Sequence, residues 1–177
     1  MKRSVISLLL VFLVACFSVT VAGDGGNPHS RLLMGSLSGE AYWVMDGKCD
    51  AVNGDPQNGI PGLTSLSNMV GEVSHFGRTT YESSHCSTPD GQNLLLGEAT
   101  LTAANGDEVW LSYTAELISP FEIPGTLVYV TENVVVGGTG RFEGAYGEIL
   151  FLTFVTIEDL TAASIPADHE IIGSITY

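Results

Sequence analysis

The chain has 177 residues, with six Lys and Arg against 20 Asp and Glu, a formal net charge of −14. So negative a balance repels phosphate backbones and anionic lipid, which argues against nucleic acid as a partner. Charge alone calls for no metal either: no DxDxDG-type loop is present to gather the acids around calcium, so they read as a solvated surface.

The chain opens on a short cationic segment, Met1-Lys2-Arg3-Ser4, followed by an apolar run from Val5 to Ala22 and then Gly23-Asp24-Gly25-Gly26-Asn27-Pro28. That is the order of a secretory signal over residues 1–22. The run approaches the ~20 residues that cross a bilayer as a helix. It ends in small and β-branched residues, however, and no basic residue follows before Arg31, which favours removal over retention. Two cleavage points compete. Thr20-Val21-Ala22 suits an ordinary signal peptidase, whereas Leu13-Val14-Ala15-Cys16 matches a bacterial lipobox, in which Cys16 would carry lipid. Only that second route gives the protein a membrane partner; ordinary cleavage makes it secreted or periplasmic.

Removal of the signal leaves about 155 residues, the length of one domain with a real core. Arg31, Lys48, Arg78 and Arg141 then face all 20 acids, a charge of −16. Residues 23–35 read as a flexible polar lead-in and residues 36–177 as the folded domain. Cys49 and Cys86 form an even pair for an oxidising compartment and are expected to be bridged. Closing that loop is worth roughly 4 kcal/mol in the chain-entropy model.

Strand candidates follow in order. Gly39 to Met45 is the first, and Asp46 to Pro61 is a turn-rich loop with Asp46-Gly47, Asn53-Gly54 and Asn58-Gly59. Asn68 to Arg78, running towards Tyr81, reads as one extended stretch, and Ser83 to Gln92 as a loop. The clearest signal comes next. Val109, Leu111, Tyr113, Ala115 and Leu117 alternate with Trp110, Ser112, Thr114 and Glu116, a strand with one buried face. The segment from Leu95 to Ala103 precedes it, and Asn105-Gly106 between them marks a hairpin. Thr126 to Val136 is β-branched. Tyr146 to Thr156 is apolar on both faces through Ile149-Leu150-Phe151-Leu152, which points to a covered outer face and a homo-oligomer or an overlying segment. Asp159 to Asp168 reads as a loop and Glu170 to Tyr177 as the last strand. Seven or eight strands in hairpin order favour an all-β, antiparallel barrel, because closure removes exposed edges.

Gly137-Gly138-Thr139-Gly140-Arg141-Phe142-Glu143-Gly144-Ala145-Tyr146-Gly147 resembles the GG-(S/T)-G-x-F-x-x-A-x-G stretch of the allene oxide cyclase and dirigent proteins. The resemblance implies an eight-stranded antiparallel barrel of calycin type. It also implies chemistry on hydrophobic or phenolic molecules in plant relatives, which the bacterial-style export signal keeps at a distance from this chain. Physically, Gly137, Gly138 and Gly140 would allow a strand-ending turn with positive φ. Phe142 would plug a barrel end, and Gly147 would relieve crowding where the strand re-enters the wall. A phosphate loop is disfavoured: neither the following helix nor a Lys-Ser/Thr pair is there.

No catalytic set stands out. His75 with Glu72 and Arg78, on a straight strand or one bulged near Gly77, could do acid–base work at a barrel mouth. A rim ion pair or a core histidine is the simpler reading. Glu98 and Glu148 lie in strands, where a buried carboxylate would carry a raised pKa or pair with Arg78 or Arg141. His29 and His169 fall in expected loops, the four His form no metal triad by spacing, and no cofactor motif appears. Trp43, Trp110, Tyr113 and Tyr129 could line a ligand cavity. The leading expectation is therefore an exported barrel that binds a small apolar or aromatic molecule, or a protein. The alternatives are an isomerase or cyclase acting inside the barrel and a small outer-membrane barrel, the latter suggested by the alternation Ile171-Ile172-Gly173-Ser174-Ile175-Thr176-Tyr177.

Overall fold

A computed structural model describes residues 29–119, 125–157 and 162–177. The expected export segment with Cys16, and residues 23–28 of the expected lead-in, lie outside them. Eight strands follow in order: β1 (Ser30–Val44), β2 (Thr64–Val73), β3 (Gly77–Ser87), β4 (Asn93–Thr102), β5 (Glu108–Ser119), β6 (Thr126–Gly138), β7 (Tyr146–Thr156) and β8 (Ser164–Thr176). A short helix α1 (Asp50–Asn53) sits in the β1–β2 connection, and a 3₁₀ turn over Gly140–Phe142 follows β6. Each strand pairs antiparallel with the next, and β1 closes the barrel against β8. Closure leaves no long edge. This is the fold class expected from the hairpin order.

The strands obey period 2, so alternate residues enter the barrel. Leu33, Leu37 and Ala41 of β1, Leu101 of β4, Val109 and Leu111 of β5, and Ile149 and Phe151 of β7 are buried. At one end the interior is packed solid. Phe76 stacks on Phe142 there, ring centroids 4.6 Å apart, and Tyr177 meets Phe142 edge-to-face at 4.8 Å. Phe142 is fully buried, so it plugs the barrel as the 137–147 segment implied. Gly140 (φ +57°) makes the turn that delivers it. Gly147 (φ +152°) has no room for a side chain, because a Cβ would strike the Ser174 carbonyl of β8. Gly138 departs from expectation. Its φ is not positive; glycine is needed there for space, since a Cβ would collide with the Glu108 carbonyl and lie 2.8 Å from Phe142.

Several strand limits differ from the sequence reading. β1 starts at Ser30, so residues 30–35 belong to the barrel wall and not to a lead-in. The Asn68–Arg78 stretch is not one strand. β2 ends at Val73, and β3 restarts at Gly77 after a tight turn in which His75 (φ +69°) and Gly77 (φ +71°) are left-handed. The Ser83–Gln92 segment is strand as far as Ser87. Residues 164–168, read as loop, open β8. Leu150, Leu152 and Phe154 of β7 do face outward and are half-buried, lying opposite Glu132, Val130 and Val128 of β6.

Cys49 and Cys86 are bridged, with Cα atoms 5.4 Å apart. The bridge ties the β1–β2 connection to β3. Around it, the Asn53 side-chain amide donates to the carbonyls of Leu63 and Ser87, at 3.0 Å each. A disulfide of this kind belongs to an oxidising environment.

Candidate functional site

Opposite the plugged end, the barrel interior opens into a cavity of about 160 Å³. Small inward side chains create it. Ser65 and Ser67 of β2, Ser83 and Ser87 of β3, and Ala41 and Ala167 stand where a packed core would need Leu or Phe. Aromatic groups fill part of the room: Trp43, Tyr81, Tyr113 and Tyr129 line it.

Two histidines face this space. His169 on β8 is buried, and its Nδ1 lies 2.9 Å from the Thr153 hydroxyl of β7. Thr153 in turn meets the Thr131 hydroxyl at 3.2 Å. Tyr81 presents its ring edge-on to His169, with centroids 5.1 Å apart. Nδ1 is thereby engaged, while Nε2 is buried and has no hydrogen-bond partner. In either tautomer one hydrogen-bonding valence of the imidazole stays unused. His85 on β3 shares a 2.9 Å hydrogen bond between its Nδ1 and the Tyr113 hydroxyl.

Burial sets the protonation of all these groups. It lowers the His85 pKa to about 4, helped by the Lys48 ammonium. It lowers that of His169 to about 3, with His85 as the next cause. Burial also raises Tyr113 to about 12 and moves Tyr81 and Tyr129 upward. At neutral pH the cavity is therefore lined by neutral imidazoles and phenols. Among the described residues, no carboxylate lines it. No group of three or more His, Cys, Asp or Glu among the described residues could hold a metal ion.

The sequence-based candidates divide cleanly. Trp43, Tyr113 and Tyr129 line the cavity, but Trp110 points outward from β5 and is 41% exposed. His75 is exposed in the β2–β3 turn at the plugged end, far along the strands from the cavity. Glu72 faces Arg78 across that hairpin, both exposed on the outer surface. Glu98 also faces outward and pairs with Lys48 at 2.9 Å. Glu148 is exposed, and Arg141 pairs with Asp107 at 3.7 Å. His75, Glu72, Glu98 and Arg78 thus lie outside the cavity on the exposed surface, and neither Glu98 nor Glu148 is a buried carboxylate. The turn at His75 ends β2 at Val73, so the straight or bulged strand expected through Asn68–Arg78 does not run on to carry His75 inward. His169, expected in a loop, is instead a buried polar group of the cavity wall on β8.

The left-handed backbone of His75 has a measurable consequence. An L-residue with a Cβ is disfavoured there by about 1 kcal/mol, which glycine avoids. His75→Gly should therefore raise stability by up to about that amount in urea denaturation. A loss instead would show that the exposed imidazole contributes more than its backbone costs.

No protein-family model matches the chain. No curated protein matches it either. Among solved structures, the chain resembles the pterocarpan synthase dirigent protein with a TM-score of 0.53 at 17% identity, covering 88% of this chain and 89% of that one. The likeness establishes a dirigent-like barrel fold.

Proposed function

We propose that this is an exported binding protein whose barrel mouth takes up a compact, uncharged molecule carrying one polar group. The carrying observation is the buried, unpartnered Nε2 of His169 beside an open cavity. An unsatisfied buried polar atom costs about 1–3 kcal/mol, and a ligand that meets it recovers that energy. Size supports the same reading. A cavity of about 150 Å³ is filled by one benzene ring, so a space of about 160 Å³ takes a single ring or its equivalent. Charge supports it as well, because a buried ion without a counter-charge is costly.

Binding is favoured over turnover by the protonation of what faces the cavity. Acid–base turnover is best served by groups whose pKa lies near the operating pH, whereas burial lowers His85 to about 4 and His169 to about 3 and raises Tyr113 to about 12; the carboxylates first considered for that role lie outside the barrel. Release into an oxidising compartment is supported by the disulfide and by the outer surface. Glu72, Glu82, Glu98, Glu116, Glu132 and Glu148 are exposed there, on faces that an outer-membrane barrel presents to lipid.

Native mass spectrometry of the exported protein should show a small-molecule adduct, lost on denaturation. A panel of monocyclic alcohols and ketones should stabilise the purified protein. At 100 times Kd the gain is about 2.7 kcal/mol, roughly 5–10 °C for a domain of this size. No adduct and no stabilising compound would overturn the reading.

A further inference from the structure

A second concavity lies on the outside of the barrel, with a volume of about 500 Å³. Strand register assembles it. Asn68, Glu82, Thr100 and Trp110 are successive partners across β2, β3, β4 and β5. The neighbouring row runs Tyr42, Leu66, Ser84, Glu98 and Ser112. Short hydroxyl side chains, Ser84, Thr100 and Ser112, form the floor. Trp110 walls one side, and Tyr42 with Leu66 the other. Leu66 and Trp110 are three strand spacings apart, about 14 Å.

Both aromatic walls are held in place. The Trp110 indole Nε1 donates to Glu108 Oε2 at 3.0 Å. The same indole lies over Gly137 of β6, where a Cβ would come within 3.3 Å of it. The absent side chain lets the ring lie along the wall. Asn68 Nδ2 donates to the Tyr42 hydroxyl at 3.2 Å. Lys48 holds two of the lining residues, donating to Ser84 Oγ at 2.7 Å and to Glu98 Oε2 at 2.9 Å.

We propose that this outer groove binds a short neutral saccharide. A pyranose offers two kinds of surface at once. Its C–H face stacks on an electron-rich indole, and its hydroxyls donate to carboxylates and exchange hydrogen bonds with amides and hydroxyls. The groove presents that combination: fixed rings at the walls, and Asn68, Glu82 and the floor hydroxyls between them. Other occupants fit less well. An apolar molecule would strip water from Glu82 and Glu98. An anion would meet those carboxylates directly. An extended peptide that adds a strand needs an open sheet edge, and the barrel has none.

The test is calorimetric titration of the exported protein with cellotriose, chitotriose, mannotriose, xylotriose and laminaritriose, with a lysine pentapeptide as competitor class. At least one trisaccharide should bind, and Trp110→Ala should weaken it about tenfold or more, equivalent to 1.4 kcal/mol. Glu82→Gln should weaken it as well. Trp110→Phe, which keeps an aromatic face, should retain part of the affinity, so lost folding is distinguished from lost stacking. Absence of binding across the five trisaccharides would overturn the proposal. So would binding that survives Trp110→Ala, or selective binding of the lysine peptide.

Discussion

Unfolding should take up protons below pH 6.5, and the protein should lose stability steeply as pH falls from about 6.5 towards 4. His85 and His169 are neutral in the fold, with pKa values lowered by burial to about 4 and about 3. In the unfolded chain each returns to its ordinary value of 6.5. Between the two values the unfolded state binds the extra protons. The stability they confer is therefore complete above pH 6.5 and is lost as pH falls. One proton contributes about 1.4 kcal/mol per pH unit, so the pair gives a slope of up to ~2.7 kcal/mol per unit near pH 5. Carboxylates add their own loss at lower pH. The pKa of Asp107 is lowered by its Asn105 hydrogen bond, and that of Asp46 by Thr64, so their contribution is lost only as pH falls below the ordinary carboxylate range. The net negative charge acts the other way, because acid relieves self-repulsion. Urea midpoints measured from pH 7.5 to 4.5 should fall for the wild type. His169→Phe, which fills the same space without a titrating group, should flatten the curve by about one proton's worth. A wild-type profile flat between pH 7 and 5 would contradict the buried, neutral pair.

The second large effect belongs to the Cys49–Cys86 bridge. Its cysteines are 37 residues apart in sequence, and closing a loop of that length removes about 4 kcal/mol of unfolded-state entropy at 25 °C. Replacing both cysteines with serine should cost about that much in denaturant titration. The loss should also be local. Cys49 precedes α1, and Cys86 sits on β3 between His85 and Ser87, two residues of the cavity wall. Without the bridge, the β1–β2 connection is held to β3 chiefly by Asn53 and Lys48. Proteolysis should then cut first within residues 46–63 while the barrel remains. A cost below about 1 kcal/mol would show that those polar contacts and the core already fix the loop.

The parts of the molecule that could be read from the chain are those where hydrophobic alternation is uninterrupted. β5 is one, with Val109, Leu111 and Tyr113 facing inward. The Asn105-Gly106 turn is another, with Gly106 at φ +87°. The glycine-rich return into β7 and the bridged cysteines were also legible. The aromatic part of the cavity wall was legible too, in Trp43, Tyr113 and Tyr129; its small polar part was not, for a physical reason. A strand that lines empty space carries small polar residues on its inward face, so Ser83-Ser84-His85-Cys86-Ser87 looks like a loop by composition. The same holds for Asp168-His169-Glu170 on β8. A signal was present in the spacing: Ser65 and Ser67, then Ser83, His85 and Ser87, recur at every second residue, the period of a strand whose inward face lines a cavity. His75 misled because a non-glycine residue takes a left-handed turn there, and chain composition gives little sign of that.

The central claim is that His169 Nε2 recognises the polar group of a compact ligand inside the barrel. Calorimetric titration with matched pairs, such as cyclohexanol against cyclohexane, tests it most directly in the wild type and in His169→Phe. The alcohol should bind the wild type at least about tenfold more tightly than the hydrocarbon, a difference of about 1.4 kcal/mol. His169→Phe should erase that preference while still admitting the hydrocarbon. An alcohol preference that survives His169→Phe, or a wild type that binds neither molecule, would contradict the account.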